Sequence, residues 1–79
     1  MVDYYYLKKS YIASILTGLP AAPHHEDAKR GNELLHAICD KFIDSSYCSE
    51  ADKLRMKLEL SLVKTALDIE IDACFRGRM

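Results

Sequence analysis

The chain has no tryptophan, no long apolar run and no surplus of charge of either sign. Each absence removes a class of function. A membrane-spanning helix needs ~18 or more consecutive apolar residues. The most apolar early stretch, Ser10 to Leu19, is shorter and carries Ser10, Tyr11, Ser14 and Thr17, so no membrane partner is expected. Eleven Lys and Arg against twelve Asp and Glu leave no net field to draw the chain onto nucleic acid, and too little negative charge for a DNA mimic.

Cysteine is scarce and unpaired in pattern. Cys39, Cys48 and Cys74 are an odd number with no paired spacing, a poor disulfide framework that suits a reducing compartment. Lys8 and Lys9 before Ser10 to Leu19, with Pro20 to Pro23 beyond, resemble the outline of a secretory leader. Asp3, however, stands where a leader is positive, and the apolar part is interrupted by polar residues. A cytoplasmic location is expected. A Gly-rich phosphate loop, a nucleophile elbow, an HExxH pair and an EF-hand loop are all missing, and three helices of this size leave little room for a concave pocket. The chain is therefore expected not to be an enzyme.

What is present is the balance of a folded domain: 79 residues, 49% hydrophobic and 29% charged. That length gives one domain, residues 1–79, near the size at which a single core only just offsets the entropy lost on folding. The expected class is all-α, a three-helix bundle with a long C-terminal helix, completed by dimerisation.

Helical periodicity marks three segments, at about 4–17, 24–45 and 50–75. Asp3 can cap the first, and Gly18 can end it in the left-handed conformation, with Leu19 and Pro20 completing the stop. Tyr4, Tyr5, Tyr11, Ile12, Ile15 and Leu16 fall on one side of it, and Tyr6 points away. Pro20 to Pro23 forms a hinge. Glu26 and Asp27 then occupy the first turn of the second helix, where the dipole favours carboxylates. Gly31 weakens that turn, placing the well-formed part from about Asn32, and Leu34, Leu35, Ile38, Phe42 and Ile43 supply its apolar stripe. Ser45 and Ser46 end it. Ser49 with Asp52 resembles a capping box for the third helix.

From Glu50 to Phe75 there is neither glycine nor proline, which predicts a rod of about 39 Å. It carries two apolar stripes. Leu54, Leu58, Leu62, Ala66, Ile69 and Ala73 follow one side. Met56, Leu60, Val63, Leu67, Ile71 and Cys74 follow nearly the opposite side, since a two-residue offset turns a helix by about 200°. A helix at the edge of a monomeric bundle needs one such stripe. The first two helices could sandwich the third and cover both, but they are short against so long a rod. The expectation is that a second copy covers Met56, Leu60, Val63, Leu67 and Ile71, most simply as a symmetric homodimer. Glu70 prevents a sustained coiled-coil repeat.

Other residues invite chemistry. His36 and Cys39 share a helical face at a spacing that suits half a zinc site. Completing it would need His24, His25 or Cys48 to fold back, so no metal or other cofactor is expected, and a buried Cys39 beside a partly exposed His36 is the plainer reading. His24 and His25 read as a solvated helix start. Lys8, Lys9, Lys29 and Arg30 are the cations a nucleic-acid-binding regulator would use, yet Lys53, Arg55 and Lys57 spread around their helix instead of gathering. Tyr6 joins the expected interface, because tyrosine offers rigid area with a polar tip. The function expected is a non-catalytic regulator, adaptor or inhibitor that binds an unidentified protein target. No motif is specific enough to name a family.

Overall fold

The computed structural model describes residues 3–78. Met1, Val2 and Met79, counted in the expected 1–79 domain, lie outside the described residues. Three helices, α1 (Tyr4–Gly18), α2 (His25–Asp44) and α3 (Glu50–Arg76), are joined by a 3-10 turn at Leu19–Ala21 and a short Ser-rich connection. Each bound falls within one residue of the pattern read from the sequence.

Local chemistry sets the ends. The Asp3 carboxylate accepts from the Tyr6 N–H at 3.3 Å, and the Ser49 hydroxyl accepts from the Asp52 N–H at 3.1 Å, so each helix has one otherwise orphaned donor satisfied. Gly18 departs from expectation. Its φ of −78° is right-handed, because the chain tightens into the Leu19–Ala21 turn and becomes extended only at Ala22, without reversing hand. Gly31 does not delay α2 either, which is continuous from His25; the acidic first turn and tertiary packing offset the weak helix former. At the far end of α2, Ser45 and Ser46 hydroxyls donate to the Phe42 and Ile43 carbonyls, and Lys53 donates to the Asp44 carbonyl.

Charged contacts fix direction. His25 meets Asp72 at 2.5 Å and Asp44 meets Lys57 at 2.5 Å, so α2 runs antiparallel to α3. Lys8 meets Glu59 at 2.6 Å, while Arg78 donates to the Leu19 carbonyl at 2.9 Å, so α1 runs parallel to α3 from the level of Glu59 to its end. The result is a rod of 46 × 17 × 16 Å. Its 13.5 Å radius of gyration exceeds the ~11.6 Å of a typical compact domain of this length.

The core is one layer of Tyr11, Ile15, Leu19, Cys39, Ile43, Leu60, Leu67 and Ile71. Two expected faces are rotated. On α1 the buried line runs Leu7, Tyr11, Ile15, Leu19, leaving Tyr5 and Leu16 exposed. On α2 it runs Ala28, Asn32, Leu35, Cys39, Ile43, leaving Leu34, Ile38 and Phe42 about half exposed. The rotation follows from Asn32, which is fully buried. Its amide donates to the Lys64 carbonyl at 3.0 Å and the Asp68 carboxylate at 2.9 Å, and its oxygen accepts from the Tyr11 hydroxyl. A buried amide without such partners is costly, so the face that satisfies Asn32 turns inward and the purely apolar line beside it turns outward.

Candidate functional site

The stripe assigned to a partner is the core. Leu60 and Ile71 are 0% exposed, Leu67 is buried, and Met56 and Val63 pack partly buried against the same cluster. Expecting Met56, Leu60, Val63, Leu67 and Ile71 to be free therefore needs correction. The polar groups that bind α2, namely Lys57, Lys64, Asp68 and Asp72, lie beside this stripe, and satisfying them brings the stripe inward.

The uncovered side of α3 is the other stripe. Leu54, Leu58, Leu62 and Ile69 are 60%, 59%, 72% and 59% exposed, with Ala51, Ala66 and Ala73 exposed between and beyond them. Sequence reasoning found these residues and assigned them to the wrong cover. Around the helix the apolar surface continues into a groove shared by Val63 and Ala66 of α3 with Ile12 and Leu16 of α1, and then onto Tyr5 and Ala13. Tyr6, the remaining expected contact residue, is 69% exposed. A second, separate apolar line on α2 comprises Leu34, Ile38 and Phe42.

Charge on this outer side is sparse. Arg55 and Arg76 stand on it, and Asp72 at its edge is already held by His25 and Lys29. Their hydrogen bonds hold the Asp72 carboxyl below the usual range, that of His25 contributing first. Glu59 is likewise lowered, chiefly by the hydrogen bond from Lys8. The cations proposed for nucleic acid are thus partly occupied, since Lys8 and Lys29 both sit against carboxylates.

His25 is more engaged than a solvated helix start. Besides Asp72, it lies 5.2 Å from the Phe75 ring, over which Arg78 stacks at 4.2 Å. The zinc candidates do not converge. His36 packs near Tyr11 and lies 3.9 Å from Asp40, Cys39 is buried with its thiol pKa raised by desolvation, and Cys48 is exposed in the connection after α2. Among the described residues, no three His, Cys, Asp or Glu side chains are placed to hold one ion. Nor is any described helix long and apolar enough to cross a membrane. The cleft between α1 and α2, lined by Ser14, Ile15, Ala28, Gly31 and Leu35, measures about 230 Å³, and the wider depression around His25, Lys29, Asp72, Phe75 and Arg78 about 760 Å³.

Comparison with protein-family models, with curated proteins and with solved structures gives no match, so the functional reading rests on the chain's own residues.

Proposed function

We propose that the chain is a small non-catalytic regulator, adaptor or inhibitor that works by binding protein, pairing with a second copy through the outer face of α3 and presenting its remaining apolar surface to a target. The supporting observation is the Leu54, Leu58, Leu62 and Ile69 stripe, four large aliphatic side chains each more than half exposed along one helix. Isolated exposed leucines need no explanation, but a continuous stripe of them marks an interaction surface.

Area supports the same reading. The accessible surface of 5541 Å² exceeds by roughly 600 Å² the ~4,900 Å² expected of a compact monomer with this 9.0 kDa mass. A standard interface buries ~800 Å² per partner. A strip ~40 Å long and one helix diameter, ~10 Å, wide supplies about half of that, and the adjoining Ile12, Leu16 and Tyr5 surface extends it. Tyr6 and the Leu34, Ile38 and Phe42 line then remain for a target. The three free thiols suit the reducing cytoplasm.

The test is sedimentation or light scattering over a concentration series, with Leu62→Asp and Ile69→Asp as variants. A dimer that both variants turn into a helical monomer supports the reading. A wild-type chain that stays monomeric at millimolar concentration overturns it.

A further inference from the structure

The outer face of α3 carries its charges unevenly, and that unevenness bears on how two copies meet. On a helical wheel, Leu54, Arg55, Leu58, Leu62, Ile69 and Arg76 share this face, with Asp72 at its edge. Glu50 and Asp52 flank its N-terminal end, both exposed, and are held there by Lys53 and Arg55 of the same chain. The last turn carries Arg76. Among the described residues, no carboxylate lies within ion-pair distance of Arg76.

From this pattern we infer that a second copy of this chain docks on the face with α3 antiparallel to α3. The inference rests on the self-association proposed above. Parallel pairing in register sets Arg55 against the partner's Arg55, Asp72 against the partner's Asp72 and Arg76 against the partner's Arg76, three like-charge contacts repeated along the seam. Such juxtapositions are strongly unfavourable when water is excluded.

Antiparallel pairing reverses each of them. With Leu58 opposite the partner's Ile69, Leu54 falls opposite the partner's Ala73 and Arg55 opposite the partner's Asp72. Arg76 then lies beside the partner's Asp52. Every pairing occurs twice by the two-fold symmetry, and the two helix dipoles oppose. Leucine against alanine at either end and Leu58 against the partner's Ile69 further in keep these layers apolar, and Leu62 meets the partner's Thr65 at the centre. Asp72 is 39% exposed at its side chain and keeps His25 and Lys29 while gaining Arg55, whose guanidinium otherwise pairs with Asp52 of its own chain.

Disulfide trapping tests the orientation in the full chain. Cys48→Ser and Cys74→Ala remove the accessible native thiols, and Cys39 is 4% exposed and out of reach. In the antiparallel dimer, position 54 lies ~28 Å from its own counterpart, nineteen residues along the axis, but next to the partner's position 73. Under mild oxidation, Leu54→Cys alone is expected to stay uncrosslinked, while a mixture of Leu54→Cys and Ala73→Cys gives a covalent dimer. Arg55→Glu is expected to weaken association about tenfold, because it faces Asp72 of the partner. In a parallel pair that variant exchanges one repulsion for another and changes little.

Self-crosslinking of Leu54→Cys, or a dimer that neither preparation traps and Arg55→Glu does not weaken, overturns the antiparallel arrangement while leaving self-association intact. A monomer by sedimentation at millimolar concentration overturns both.

Discussion

The Tyr11 hydroxyl donates to the side-chain oxygen of Asn32, joining α1 to α2 at the buried centre of the rod. The Asn32 amide then reaches α3 through the Lys64 carbonyl and the Asp68 carboxylate, so one amide touches all three helices. Removing either member leaves buried polar atoms unpaired, at ~1–3 kcal/mol each. Tyr11→Phe and Asn32→Leu are each expected to lower unfolding free energy by ~2 kcal/mol. In a double-mutant cycle by urea denaturation, their sum should exceed the loss of the double variant. Strict additivity would show that the two side chains do not act together.

The two sides of α3 differ in what they hold together. Leu60→Ala and Ile71→Ala, at fully buried positions, are expected to cost ~2–5 kcal/mol and to leave much of the population unfolded. Leu62→Ser, on the outer face, should leave helicity by circular dichroism close to wild type while weakening association. Equal loss of helicity in all three variants would contradict the burial pattern.

Gly31 offers a stabilising substitution. A β-carbon built there meets no atom within 4 Å, and the position is interior to α2 with an ordinary backbone. Gly31→Ala is expected to raise stability by ~0.5–1 kcal/mol, seen as a higher thermal midpoint. A lower midpoint would mean that the α1–α2 cleft closes more tightly on Gly31 than the structure shows.

Acid should weaken the fold through two ion pairs. Asp72 and Glu59 both have carboxyl pKa values lowered in the folded state, by His25 with Lys29 and by Lys8 with Tyr4 respectively. A lowered folded pKa contributes stability that is present above the unfolded value of ~4 and is lost as pH falls through the folded value. Asp72→Asn and Glu59→Gln together should therefore flatten the acid limb of a stability–pH profile below pH ~4. An unchanged limb would mean that these exposed pairs are fully screened by solvent.

At the alkaline end the sign reverses. Burial holds the Tyr4 and Tyr11 hydroxyls well above the usual tyrosine range. The stability they contribute is present below pH ~10 and lost as pH rises beyond it. In an ultraviolet titration, Tyr4→Phe and Tyr11→Phe should each remove a late-ionising component that coincides with loss of helix. Early, reversible ionisation of both groups in the folded chain would contradict their burial.

The helices were legible in the sequence because their signals are local: Asp3 and Ser49 as caps, Pro20 and Pro23 as breaks, and an uninterrupted run from Glu50. The two stripes of α3 were also legible, since periodicity needs no partner. Which stripe faces inward was not. Leucines populate both, and the choice depends on residues far away in the chain. Asn32 held the signal. A polar residue in line with Ala28, Leu35, Cys39 and Ile43 must find partners inside, and Lys64 and Asp68 sit beside the Met56 stripe. That pairing joins segments thirty-two and thirty-six residues apart, beyond the reach of helical periodicity. The same amide decides that Leu34, Ile38 and Phe42 turn outward.

A cross-section of 17 × 16 Å admits a single layer of interior side chains, with no deeper stratum to absorb a loss. Were two copies to pair as proposed, association and folding would be linked by mass action, and apparent stability would rise with the chain's own concentration. Abundance would then be a property that the chain senses about itself: crowded copies would shelter one another, while a stray molecule would spend more time open to proteases.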